Sequence, residues 1–198
     1  MADLAPGFAD AALDSQAVFR ACMNALARPA LPQSLATELA PPTPLTPELA
    51  ALALALADHE APLWLDAPLR AEPAVRRYLA FHTGARFVDD PTEAVFALIS
   101  DAAACPPFER FALGSDEYPD RSTTLLIAVS RLEAAEEFVF TGPGIKERIG
   151  LGIAPLPSGL REQFHANAAL FPRGVDLIFA TTGRIAALPR SSRLIGEA

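Results

Sequence analysis

The residues best equipped for chemistry in this sequence stand around its only tryptophan. Asp58, His59 and Glu60 precede Trp64, and Asp66 follows it. Such a set offers acids, a base and metal-ligand types. Helical geometry argues against one site, because consecutive side chains differ by about 100° in direction and the three point apart. Asp66 lies a whole strand further on. His59 continues the Leu52–Leu56 stripe of a helix, where an imidazole can meet the last free carbonyls and the negative end of the helix dipole. The stretch therefore reads as a helix terminus followed by a short buried strand, Pro62–Leu65, in preference to a catalytic cluster.

The other histidines, His82 and His165, lie on separate elements without an i,i+4 partner, so no metal site is expected. His82 completes the apolar face of Val75, Tyr78 and Leu79, which predicts a hydrogen-bonded, partly buried ring. Cys22 and Cys105 match no ligand spacing, and Cys22 falls on an apolar helix face as a buried thiol. No G-x-S-x-G elbow or H-E-x-x-H motif occurs.

Three polar segments remain. Gly114–Ser122 places Glu117 among carboxylates, hydroxyls and Arg121 on a loop, and a solvated turn accounts for it as the simpler reading. The turn Thr141-Gly142-Pro143-Gly144-Ile145-Lys146 carries two glycines whose backbone N–H groups can face a phosphate, although proline removes a donor and a tight turn is the preferred reading. Arg173 and Arg190 stand at strand ends, where a guanidinium either binds phosphate or phosphonate oxygens bidentately or forms a surface ion pair. Arg173, Arg190, Gly142, Gly144 and Glu117 are thus the candidate ligand-binding residues; catalytic residues are not assigned.

The elements that must position them follow from periodicity and punctuation. Asp14 is read as the cap of a first helix bearing Val18, Phe19, Cys22, Met23 and Leu26, which ends at Arg28-Pro29. Thr46-Pro47 starts a second helix, and a third runs from Pro73 to Gly84. Strands are predicted at Ala85–Val88, Val95–Ile99, Thr124–Ser130 and Phe138–Thr141. A fourth helix spans Ser158–Leu170, and Val175–Ala180 pairs with Arg184–Leu188 as a hairpin. The pattern predicts an α/β fold: a three-layer mixed sheet with helices on both faces, in one domain over residues 1–198.

Composition narrows the function classes. The 198 residues are 51% hydrophobic and 20% charged, as in a globular chain. A net charge of −8 opposes binding to a phosphate backbone, so nucleic acid is not an expected partner. The longest aliphatic run, Leu49 to Ala57, is short of the ~20 residues a membrane span requires. No signal peptide is recognised, and a cytoplasmic location is expected.

The ordered series GF-x-D, LDSQAVFRACMNALARP, LALADHEAPLWLD, FHTGA, TTLLIAV, TGPGI, FPRGVDLIF and ALPR resembles the PhnH family of the bacterial carbon–phosphorus lyase system, from about Gly7 to Arg193. The resemblance implies phosphonate catabolism as a complex subunit beside PhnG, PhnI and PhnJ. The joint product there is α-D-ribose 1-methylphosphonate 5-triphosphate, made from a nucleoside triphosphate and methylphosphonate. It further implies a homodimer and a fold similar to the large domain of pyridoxal-phosphate-dependent transferases, without the cofactor. The one lysine, Lys146, lies in a polar segment unsuited to an imine, so no cofactor is expected. An accessory subunit is the leading expectation; a subunit that itself binds a nucleotide or phosphonate is the alternative.

Overall fold

The computed structural model describes residues 4–157 and 159–195. The first helix, α1 (Ala11–Ala27), is capped by Asp10 and not by Asp14. The Asp10 carboxyl accepts from the N–H groups of Ala12 and Leu13. Asp14 reaches back to the N–H of Asp10 at 3.0 Å, so it completes a reciprocal cap one turn inside the helix. α2 (Pro47–Leu56) starts as expected, with the Thr46 hydroxyl accepting from the Leu49 N–H at 3.2 Å. Next come α3 (Ala67–Ala71) and α4 (Pro73–Thr83), the latter ended by Gly84 at φ 68°. The fifth helix, α5, spans Leu160–Ala169; Ser158, where it was expected to begin, lies outside the described residues.

Among the described residues nine strands form two sheets. They are β1 (Gln33–Ser34), β2 (Leu63–Leu65), β3 (Phe96–Ile99), β4 (Thr124–Ala128), β5 (Arg131–Thr141), β6 (Ile149–Ala154), β7 (Asp176–Thr181), β8 (Arg184–Leu188) and β9 (Arg193–Ile195). The main sheet has the order β1-β8-β7-β4-β3-β2, in which β7, β4, β3 and β2 are parallel and the β8–β1 edge is antiparallel. A second, antiparallel sheet has the order β6-β5-β9. Ala85–Val88, expected as a strand, contributes one bridge, Phe87 to Leu63, before the Asp89-Asp90-Pro91 turn carries the chain away.

Alternation along the main sheet divides the interior into two cores. Leu65, Leu98, Leu126, Ile178 and Ala187 face Val18 and Cys22 of α1, Leu49 and Leu52 of α2, and Tyr78 and Leu79 of α4. Trp64, Ile99, Ile127, Phe179 and Leu188 face the other way, toward Phe138 and Phe140 of β5, Leu151 and Ile153 of β6, and Phe164 of α5. Each such valine, leucine, isoleucine or phenylalanine side chain, fully buried, contributes about 1.5–3 kcal/mol of transfer free energy. The expected helices are found on both faces but unequally, with α1, α2 and α4 on the first. The other is covered by the small sheet, with α5 as its single long helix. No helix among the described residues is long and apolar enough to cross a membrane.

Candidate functional site

The cluster around Trp64 separates into unrelated parts. α2 ends at Leu56, three residues before His59, whose side chain is 81% exposed and 3.9 Å from Glu60. The capping role expected of His59 is not realised. Asp58 does the local work, its carboxyl accepting from the N–H groups of Glu60 and Ala61 to hold the turn. Trp64 meets Phe111 edge to face with centroids 5.5 Å apart, and its indole N–H donates to the Asp89 carbonyl at 3.2 Å.

Asp66 is the buried polar hub of this region, at the C-terminal end of β2. Its carboxyl accepts from the N–H groups of Leu69 (3.1 Å), Ser100 (2.6 Å) and Asp101 (2.9 Å), and from the Ser100 hydroxyl. It caps α3 and ties the ends of two parallel strands, so its acceptor capacity is spent on the backbone. Burial first, and the negative charge of Asp66 second, push the Cys105 thiol up to about 12. Burial does the same to Cys22, and neither is poised as a nucleophile.

Three of the five candidate ligand residues gather at the loop 113–122. Arg190 is held from every side. Its Nε donates to Asp176 Oδ1 at 3.1 Å, one terminal nitrogen to the Pro119 carbonyl at 2.5 Å, and the other to the Ser122 hydroxyl at 2.5 Å and to Asp176 Oδ2. The Arg190 backbone N–H adds a bond to Asp176 at 2.8 Å. Arg173 lies with its Nε 3.1 Å from Asp116 Oδ1, yet the N–H is misaligned and makes no hydrogen bond. Glu117 is exposed on the same loop.

The two glycines lie elsewhere. Gly144 is at φ 84°, and a Cβ there would stand 2.5 Å from the Ala27 carbonyl oxygen, so the turn packs directly on the end of α1. Gly142, at φ 139°, presses on Ser191 in the same way. Lys146 is exposed beyond the turn, without the apolar enclosure that activates an imine-forming lysine. His82 meets its expectation: Nε2 is 3.0 Å from the Ala5 carbonyl, and the ring packs against Tyr78 and Phe81. Burial raises the pKa of the Tyr78 phenol.

A groove missed by the sequence reading runs between α5 and β9. One part, about 330 Å³, is lined by Thr141, Gly142, Pro143 and Ser191; the other, about 470 Å³, by His165 and Leu194. Ala168, Phe171 and Arg193 line both parts. His165 and Arg193 are 28 positions apart, and no local motif joins them. The apolar stripe that docks α5 was the available signal. Among the described residues no group of three or more His, Cys, Asp or Glu side chains is placed to hold a metal ion.

Comparison with known proteins gives this architecture a lineage. Residues 6–195 match the family model described as bacterial phosphonate metabolism protein (PhnH). The chain is 42% identical over 190 residues to the PhnH subunit of α-D-ribose 1-methylphosphonate 5-triphosphate synthase of Rhizobium meliloti (strain 1021). That match covers 96% of this chain and 94% of the relative. HtxG of Stutzerimonas stutzeri, named as a candidate C-P lyase subunit protein, is 35% identical over 82 residues, 41% of this chain and 42% of its own length. On a match spanning the two sheets and all five helices, this chain belongs to the PhnH family of bacterial phosphonate metabolism proteins.

Proposed function

We propose that this chain is an accessory subunit of a synthase that makes α-D-ribose 1-methylphosphonate 5-triphosphate from a nucleoside triphosphate and methylphosphonate. The observation that carries the reading is the near-full-length 42% identity to a subunit of that name. Its partners are subunits of the PhnG, PhnI and PhnJ types and a second copy of itself, and the assembly works in the cytoplasm. The whole chain acts as one domain, since both sheets share the core around Ile127 and Phe179. The parallel run β7-β4-β3-β2 supports kinship with the large domain of pyridoxal-phosphate-dependent transferases.

Asp66 and Arg190 fit a structural duty within such a subunit, since each spends its polar atoms on tying loops to strand ends. Co-expression of the tagged chain with the three partner types tests the reading. It predicts a stoichiometric complex that survives size exclusion; partners that assemble fully and leave this chain behind would overturn it. A subunit that binds ligand itself is the second reading, favoured by the position of Gly142 at the wall of the α5–β9 groove.

A further inference from the structure

We infer that the groove between α5 and β9 binds a phosphoryl or phosphonyl oxyanion, with Arg193, His165 and Ser191 as its polar contacts. The choice of phosphonate among such anions rests on the proposed pathway; the site itself rests on four observations of the groove.

First, two of the three buried polar side-chain atoms that lack a hydrogen-bond partner among the described residues are His165 Nε2 and Ser192 Oγ. Buried polar atoms are satisfied in the great majority of cases, and an unsatisfied one costs about 1–3 kcal/mol. The one that lines this groove, His165 Nε2, indicates an occupant that supplies its missing bond. His165 lines the groove directly, and Ser192 stands between the lining residues Ser191 and Arg193.

Second, Arg193 forms no ion pair among the described residues, unlike Arg86, Arg131, Arg173 and Arg190. It lines both parts of the groove. A guanidinium binds the oxygens of a phosphoryl group through two parallel N–H bonds, and a hydroxyl and an imidazole N–H can complete the set.

Third, among the described residues no carboxyl group lines either part of the groove, although the chain holds 24 acidic residues against 16 basic ones. An arginine with no described carboxyl beside it makes a local positive site on an acidic protein.

Fourth, the fold holds the parts in register. Thr141 on β5 pairs with Arg193 on β9, while Gly142 brings its turn against Ser191 without a side chain to keep them apart. The segment 191–193 is thereby fixed between the turn and α5. Phe171, 57% exposed, and Pro143 add apolar surface at the same opening, suited to the carbon substituent of a phosphonate.

Isothermal titration of the purified chain with methylphosphonate, inorganic phosphate and ATP, each to 10 mM as an order-of-magnitude ceiling for weak anion sites, tests the proposal. At least one of the three saturates a single site, and the ranking identifies which source of the oxyanion the groove prefers. Arg193→Ala weakens that binding tenfold or more, whereas Arg86→Ala, at a distant exposed pair, leaves it unchanged. His165→Gln weakens it as well, and retention of the thermal unfolding midpoint excludes a folding defect. Absence of binding by all three ligands shows the groove to be merely hydrated and overturns the proposal. Binding that survives Arg193→Ala but is lost in Arg173→Ala also overturns it, by placing the anion at the loop 113–122. Either failure leaves the co-expression result untouched, so the site and the subunit role fall separately.

Discussion

Arg190 and Arg193 are three residues apart, and the structure uses them in opposite ways. Arg190 donates to Asp176, Pro119 and Ser122, with 15% of its side chain exposed. Arg193 is exposed, has no ion pair among the described residues, and lines a groove with His165, whose buried Nε2 has no hydrogen-bond partner there. The type of residue is therefore a poor guide to a binding role. The number of its donors left over after folding is a better one, because a guanidinium saturated by the protein must break those bonds before it can hold a ligand. Asp66 teaches the same from the acidic side: a buried carboxyl of a type that can do chemistry is filled by three backbone N–H groups and a hydroxyl.

This contrast can be broken by substitution. The largest loss of stability is expected from Arg190→Ala, which strands Asp176 and releases the loop 113–122. Removal of one partner of a largely buried pair costs about 3 kcal/mol, read as a lower urea midpoint at unchanged slope. Asp66→Asn follows, at about 2 kcal/mol, because the amide turns donors toward backbone donors that need an acceptor. Arg193→Ala is expected to change stability by less than about 0.5 kcal/mol, as for an ordinary surface position. An Arg193→Ala loss as large as that of Arg190→Ala would erase the distinction between the two regions.

The thiols sharpen it by another route. Burial raises Cys22 and Cys105 from 9.0 to about 12, so the folded chain keeps two protons that the unfolded chain releases. This contribution to stability is fully present below pH 9 and declines as the pH rises from about 9 toward about 12. Urea unfolding at a series of alkaline pH values should show a shallower decline in Cys22→Ala/Cys105→Ala than in the parent chain. Equal slopes would show that the thiols are not protected as the packing requires.

Much of the scaffold was legible because local chemistry and tertiary demand agree there. Thr46-Pro47 can hardly do other than start a helix, and Gly84 ends one at a left-handed residue. β3, β4 and β7 are continuous apolar runs of the sort a buried parallel sheet imposes, and β8 is an apolar run closed onto β7 by a short turn. The small sheet was legible only in part. The first half of β5 carries Glu133, Glu136 and Glu137 on the outside of the molecule, and the glycines of β6 depress strand propensity. β1 and β9 are two and three residues long, too short to show a period.

The candidate site was less legible still, for a physical reason. Arg190 could have been recognised as a clamp from the hairpin alone, since the Leu177–Leu188 pairing brings Asp176 beside the residues that follow β8. His165 and Arg193 meet through the docking of α5 on β9, and an unsatisfied atom is defined by everything around it. No spacing in one chain records that.

The central claim, an accessory subunit of phosphonate ribosylation, is tested most directly by omission. Partner subunits of the PhnG, PhnI and PhnJ types are incubated with ATP and methylphosphonate, with and without this chain, and formation of α-D-ribose 1-methylphosphonate 5-triphosphate is followed by phosphorus resonance. The account predicts that adding the chain raises the yield or the lifetime of the active complex, while the chain alone forms no product. Equal rates and equal assembly in its absence, or turnover by the chain alone, would contradict it.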